Sequence, residues 1–210
     1  MKKFFLILFT CCVALLSLSA QSSVSVAIDI QKNSTLAING TTNVIAFKLY
    51  QTSDKFIRKN LIVTASRNQN KLFLSENKLS VPVRKFDSTN KMALKDFFKM
   101  MKSDAYPTLQ IQLDHIEFAS SNSMSKGNAI ADITITGITK RYSFPVDVEQ
   151  KGDYYTFIIT KNINIRDFGL TPPKQMMGMI KVNDWINIDL HMICSIQPFN
   201  QTDLVINNTK

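Results

Sequence analysis

Thr108-Leu109-Gln110-Ile111-Gln112-Leu113-Asp114 alternates polar and apolar side chains without a break. A strand turns successive side chains to opposite faces, so Leu109, Ile111 and Leu113 share one face and the polar residues the other. Ala131-Asp132-Ile133-Thr134-Ile135-Thr136 repeats the pattern, as does Ile186-Asn187-Ile188-Asp189-Leu190-His191-Met192. Phe144, Val146 and Val148 alternate with Ser143, Pro145 and Asp147. Four shorter sets follow the same period: Ile45, Phe47 and Leu49; Leu61, Val63 and Ala65; Leu79, Val81 and Val83; Tyr155, Phe157 and Ile159. Strands with one dry and one wet face belong to antiparallel sheets. Asn39-Gly40, Lys126-Gly127-Asn128, Gly137 and Lys151-Gly152-Asp153 supply turn residues between them. Roughly ten such segments imply an all-β barrel or sandwich. Periodicity does not choose between the two, although a barrel of about eight strands can enclose a small ligand.

One segment departs from period two. From Asn90 to Lys102, Leu94, Phe97, Phe98 and Met101 recur at helical spacing, and Asp87, Ser88, Thr89 or Asn90 can cap the start. Pro107 forces the chain to be extended again by Tyr106. A single short helix in a β protein closes one end of the sheet, as core or as lid.

The N-terminus is a separate element. Met1-Lys2-Lys3 precedes an apolar run from Phe4 to Leu18, and Ala20 offers a small residue for cleavage before Gln21. This is the layout of a secretory signal peptide over residues 1–20. The run is short for a membrane span, and Thr10 before Cys11 disfavours a lipoprotein site. Cleavage near Ala20 predicts a periplasmic or secreted protein. It lowers the formal charge from +9 to +7 and leaves Cys194 as the lone cysteine, so the core must hold the fold without an internal disulfide. Residues 21–196 form one domain, and the polar stretch 197–210 reads as a loose tail. The lysines are dispersed, and export argues against nucleic acid. The basic excess suits a solvated face or peripheral contact with anionic lipid headgroups. The oligomeric state is not encoded in any pattern.

Chemistry-bearing motifs are few. Asp167-Phe168-Gly169 spells a kinase magnesium motif but lacks the accompanying Gly-rich loop, strand lysine and catalytic-loop aspartate. His115 and His191 have no partner at metal-ligand spacing, so neither metal nor cofactor is expected. Asp114 and Glu117 stand three apart on a strand, hence on opposite faces, which argues against a carboxylate pair. No catalytic residue is assigned. Methionine is abundant, with Met92, Met100, Met101, Met176, Met177, Met179 and Met192 in the C-terminal two-thirds. Its flexible thioether suits either core filling or the deformable mouth of an apolar site.

Five stretches resemble the YceI-like family of exported polyisoprenoid-binding proteins. They are Asn39-Gly40-Thr41-Thr42-Asn43-Val44 with Phe47; Val81-Pro82-Val83-Arg84-Lys85-Phe86-Asp87 leading into Lys95-Asp96-Phe97-Phe98; Ser103-Asp104-Ala105-Tyr106-Pro107 and the strand to Phe118; Ile135-Thr136-Gly137-Ile138-Thr139-Lys140; and Ile165-Arg166-Asp167-Phe168-Gly169-Leu170. The likeness spans residues 33–196. It implies a lipocalin-like antiparallel β-barrel with one short helix at a barrel end and a long apolar tunnel. It also implies binding of isoprenoid quinones, polyprenyl chains or fatty acyl amides, without catalysis.

On that footing the expected walls are Phe47, Leu49, Val81, Val83, Leu109, Ile111, Leu113, Ile133, Ile135, Phe144, Val146, Phe157, Ile188, Leu190 and Met192. Phe97 and Met101 join them from the helix, and Met176 and Met177 from the stretch after Pro172-Pro173. A polar headgroup is expected near Arg166 or Lys174. The alternative is a secreted β interaction module with a filled core; a hydrolase would need a nucleophile and base that the sequence does not pair.

Overall fold

The computed structural model describes residues 23–56, 60–175 and 179–199. The expected signal peptide, Met176 and Met177, and the expected tail from residue 200 lie outside the described residues. Among the described residues there are thirteen strands: β1 (Ser23–Ile30), β2 (Thr35–Thr41), β3 (Ala46–Thr52), β4 (Asn60–Asn68), β5 (Lys71–Leu74), β6 (Leu79–Pro82), β7 (Thr108–Ser120), β8 (Ser123–Ile135), β9 (Ile138–Lys151), β10 (Tyr154–Asn164), β11 (Lys174–Gln175), β12 (Ile180–Lys181) and β13 (Trp185–Pro198). Helix α1 covers Lys91–Met100. Its cap is Asn90, whose side chain accepts from the Ala93 amide at 3.0 Å and so satisfies a donor that the first turn leaves open.

The pairings are antiparallel and close into a ring in the order β1-β4-β5-β7-β8-β9-β10-β13, with β13 returning to β1. The structure therefore selects the barrel over the sandwich. The two ends of this barrel are built differently. At one end β13 pairs β1 through Cys194–Pro198, and β7 pairs β5 through His115–Glu117. At the other, β13 pairs β2 through Asn187–His191, β2 carries β3, and β7 pairs β6 through Thr108–Ile111. Tyr50 of β3 and Asp87 exchange two backbone hydrogen bonds of 2.9 Å, which ties β3 to the segment between β6 and α1. Here β9 and β10 also part company: their pairing runs only from Val146 and Ile159 toward their shared turn. A 3-10 turn, Ile165–Phe168, packs against β9 beyond that point.

Several expectations are corrected. Asn39-Gly40 lies inside β2 and Lys126-Gly127-Asn128 inside β8, rather than in turns. Both glycines answer a close approach: a Cβ on Gly40 would lie 2.3 Å from the Phe47 ring, and one on Gly127 would lie 2.6 Å from the Glu117 carbonyl oxygen. A bulge between Leu113 and His115 resets the phase of β7, so that Ile116 and Phe118 are buried inward after Leu109. The same reset leaves Asp114 and Glu117 both half-exposed, on Arg141 and Lys71 respectively, rather than on opposite faces. β6 ends at Pro82, so Val83 belongs to a 3-10 turn. β13 runs through Pro198, two residues into the stretch read as tail.

Candidate apolar binding cavity

The end of the barrel carrying β2, β3, β6 and α1 holds a cavity of about 230 Å³. Its wall is built from alternating positions on five strands: Leu36 and Ile38 on β2, Phe47 and Leu49 on β3, Leu109 and Ile111 on β7, Ile133 and Ile135 on β8, Ile186 and Ile188 on β13. Ile163, Ile165, Phe168 and Leu170 supply the side where β10 leaves β9. Helix α1 covers the space with Met92, Ala93, Phe97 and Met100, and Met101 follows at its end. Only Thr42, Asn90 and Asp96 bring polar side chains to the lining.

The expected wall residues divide cleanly. Phe47, Leu49, Phe97, Met101, Leu109, Ile111, Ile133, Ile135 and Ile188 line the cavity. Leu113, Phe144, Val146, Phe157, Leu190 and Met192 are outside this lining: Phe144 and Val146 are buried in the core, and the other four pack against it partly buried. The boundary falls between neighbouring inward positions: Ile111 opposite Ile133 lines the cavity, whereas Leu113 opposite Ala131 lies beneath it. Further along the ring Phe118 and Phe144 are buried, and Phe157 packs against the core partly buried. Val81 and Val83 are fully buried outside the lining. Beside them Phe86 packs edge-on against Phe97 at 5.2 Å, and Phe97 takes the cavity side. This cavity lies in the half of the barrel that carries β2, β3, β6 and α1.

The Asp167-Phe168-Gly169 segment has a structural place. Phe168 is buried and faces the cavity, with the Tyr142 ring 6.0 Å away. Asp167 accepts a 2.8 Å hydrogen bond from the Tyr142 hydroxyl. Burial first, and then that bond, pushes the Tyr142 pKa well above its ordinary value. Gly169 ends the turn in the left-handed region at φ +65°. Arg166 donates from Nε to Asp184 at 2.6 Å, and this bond raises the guanidinium pKa further. Its side chain is outside the lining, although Ile165 and Phe168 on either side are inside it. Lys174 sits on β11, with its side chain outside the described residues.

Sequence reasoning missed Leu36, Ile38, Ala93, Ile163, Ile165, Phe168, Leu170 and Ile186, and singled out Met92 and Met100 only as core filling or mouth. The alternation Leu36-Ala37-Ile38-Asn39 was the available signal on β2. Among the described residues no group of three His, Cys, Asp or Glu could hold a metal ion, and no helix is long and apolar enough to cross a membrane. Cys194 is buried at the closed end. Burial, reinforced by the Asp29 carboxylate, pushes its thiol pKa up to about 12.

The YceI-like domain model matches residues 19–193. Among solved structures, BcnA of Burkholderia cenocepacia is 18% identical with a TM-score of 0.60, covering 79% of this chain and 99% of its own. A polyisoprenoid binding domain from Saccharophagus degradans, implicated in plant cell wall breakdown, is 7% identical with a TM-score of 0.54, covering 83% and 99%. These likenesses show the same barrel fold. No curated protein matches the sequence.

Proposed function

The chain belongs to the YceI-like domain family, and from that premise we propose that it is an exported, non-catalytic carrier for an isoprenoid, a quinone or a long acyl chain. The observation that carries this reading is the cavity itself: a hollow in the barrel, walled almost wholly by aliphatic and aromatic side chains. Burial drives such binding at about 0.8 kcal/mol per CH₂ withdrawn from water, without any specific hydrogen bond. The polyisoprenoid binding domain among the structural neighbours supports the ligand class. At about 230 Å³ the cavity falls short of the roughly 300–1,000 Å³ usual for drug-sized ligands. It therefore encloses the end of a chain, with the remainder and any headgroup at the mouth. Arg166, between lining residues, and Lys174 on β11 are the proposed headgroup contacts, and an anionic membrane is the proposed source and destination of the chain.

Organic extraction of native protein followed by mass spectrometry tests the reading. It should release an isoprenoid or acyl species, from protein whose N-terminus begins near Gln21. Refolding without lipid should lower the melting temperature, because a ligand that binds only the folded state stabilises it. Ile135→Glu, which places an unpaired charge in the lining, should lose the ligand. Native protein that yields no chain and takes up neither polyprenol nor fatty acid would remove the reading in favour of a module without a ligand.

A further inference from the structure

Large exposed apolar side chains gather around the cavity mouth. Val44 and Ile45 in the β2–β3 turn are 66% and 53% exposed, Met92 in the first turn of α1 60%, Met179 before β12 66%, and Trp185 at the start of β13 57%. Val44, Ile45 and Met92 also line the cavity, so the exposed rim and the interior form one continuous apolar surface. Contiguous patches of this kind mark sites of interaction. The rim is a fixed structure. Asn43 joins its two hairpins, donating from Nδ2 to the Met179 carbonyl at 2.8 Å and accepting at Oδ1 from the Lys181 amide at 2.9 Å.

The charge at this end identifies what covers it. Lys48, Lys91, Lys95 and Lys181 are exposed around the rim. Of the nearby carboxylates, Asp87 is held by Lys91 at 2.9 Å and Asp184 by Arg166 at 2.6 Å, and Asp96 stands in the cavity lining, so these five cations outnumber these three carboxylates. A ring of apolar side chains bordered by lysines, with a tryptophan among them, matches the hydrocarbon, interfacial and headgroup layers of an anionic bilayer. A protein partner would close the mouth, whereas a bilayer leaves the cavity opening onto hydrocarbon, so that a chain passes without crossing water.

We propose that this rim docks mouth-first on an anionic lipid bilayer. The proposal rests on the carrier reading and names the partner of the same site. Trp185 is the sole tryptophan of the chain and stands on the outer wall beside the lining residue Ile186, so its emission reports this end of the barrel. The full chain, mixed with vesicles of phosphatidylcholine and phosphatidylglycerol in equal parts, should show a blue-shifted emission that acyl-chain bromines quench. Vesicles of phosphatidylcholine alone should bind more weakly. Met179→Asp combined with Lys181→Glu alters side chains outside the cavity lining. It should weaken vesicle partitioning at least tenfold while extraction still recovers the bound chain. If wild-type protein carries a chain but neither shifts nor co-floats with either vesicle, docking is overturned and the carrier reading stands. Docking by protein that never yields a chain supports the rim and overturns the carrier. A shift that follows protein concentration without vesicles assigns the rim to a second copy and overturns the bilayer.

Discussion

The two ends of the barrel share one binary pattern and differ in what they enclose. At the closed end every strand of the ring has a neighbour on both sides, and Ile116, Phe118, Ala129, Phe144, Val146 and Cys194 are all buried. At the open end β9 and β10 separate, and the wall is completed by β2, β3, β6, a 3-10 turn and α1. Those additions widen the enclosure while the inward residues stay mostly aliphatic, and a void is left. Hydrophobic alternation decides which face is dry. The path of the closing elements decides whether the dry space is full.

Truncation is the strongest way to break this comparison. Phe144→Ala removes a ring from the packed end and should cost about 3–5 kcal/mol in urea denaturation, the usual range for emptying a filled aromatic site. Ile111→Ala at the cavity wall should cost about 2 kcal/mol or less, because part of its side chain faces space rather than atoms. Equal losses at the two sites would mean that the open end is as well packed as the closed one.

Enlargement gives a smaller effect of the opposite logic. Ala129 faces Phe144 across β8 and β9, and Ala129→Leu should cost about 1–3 kcal/mol through overpacking. Ile188→Phe extends into the cavity and should change stability by less than about 1 kcal/mol. Chain retention should fall in the second variant, measured by extraction beside the melting curve. A stability loss at Ile188 matching that at Ala129 would sink the distinction.

The strands, their faces and α1 were legible because each depends on local sequence. Leu109, Ile111, Ile133, Ile135 and Ile188 were found in this way and do line the cavity. What local pattern could not supply was depth along the barrel: Leu190 and Ile188 belong to one alternating row, yet only Ile188 meets the void. Register sets that boundary, and register is a property of paired strands. On the helix, the expected Phe97 and Met101 do line the cavity, joined by Ala93 and Met100, while Leu94 and Phe98 pack against the core, with Arg84 5.7 Å above the Phe98 ring. The two misplaced turns share a cause as well: Gly40 and Gly127 give room to a neighbouring ring and carbonyl, a tertiary demand that resembles turn chemistry in sequence.

The smallest effect separates the ends by titration. Cys194 at the closed end has its thiol pKa pushed up to about 12 from 9.0, chiefly by burial. A raised folded-state pKa means that folding favours the neutral thiol. That contribution is fully present below the unfolded pKa and is lost as pH rises from there through the folded value. At pH 9.0, where half of the unfolded thiols are ionised, the loss should be about 0.4 kcal/mol, steepening toward about 1.4 kcal/mol per pH unit above it. Tyr142 at the open end has the same sign, but its loss reaches the same value, about 0.4 kcal/mol, only at its ordinary pKa of 10.0. Urea midpoints from about pH 8 to pH 10 should therefore fall in the wild type and stay flatter in Cys194→Val, with Tyr142→Phe diverging only near the upper limit. Parallel curves for wild type and Cys194→Val would show that water reaches the thiol, and with it the end of the barrel that the ring is argued to seal.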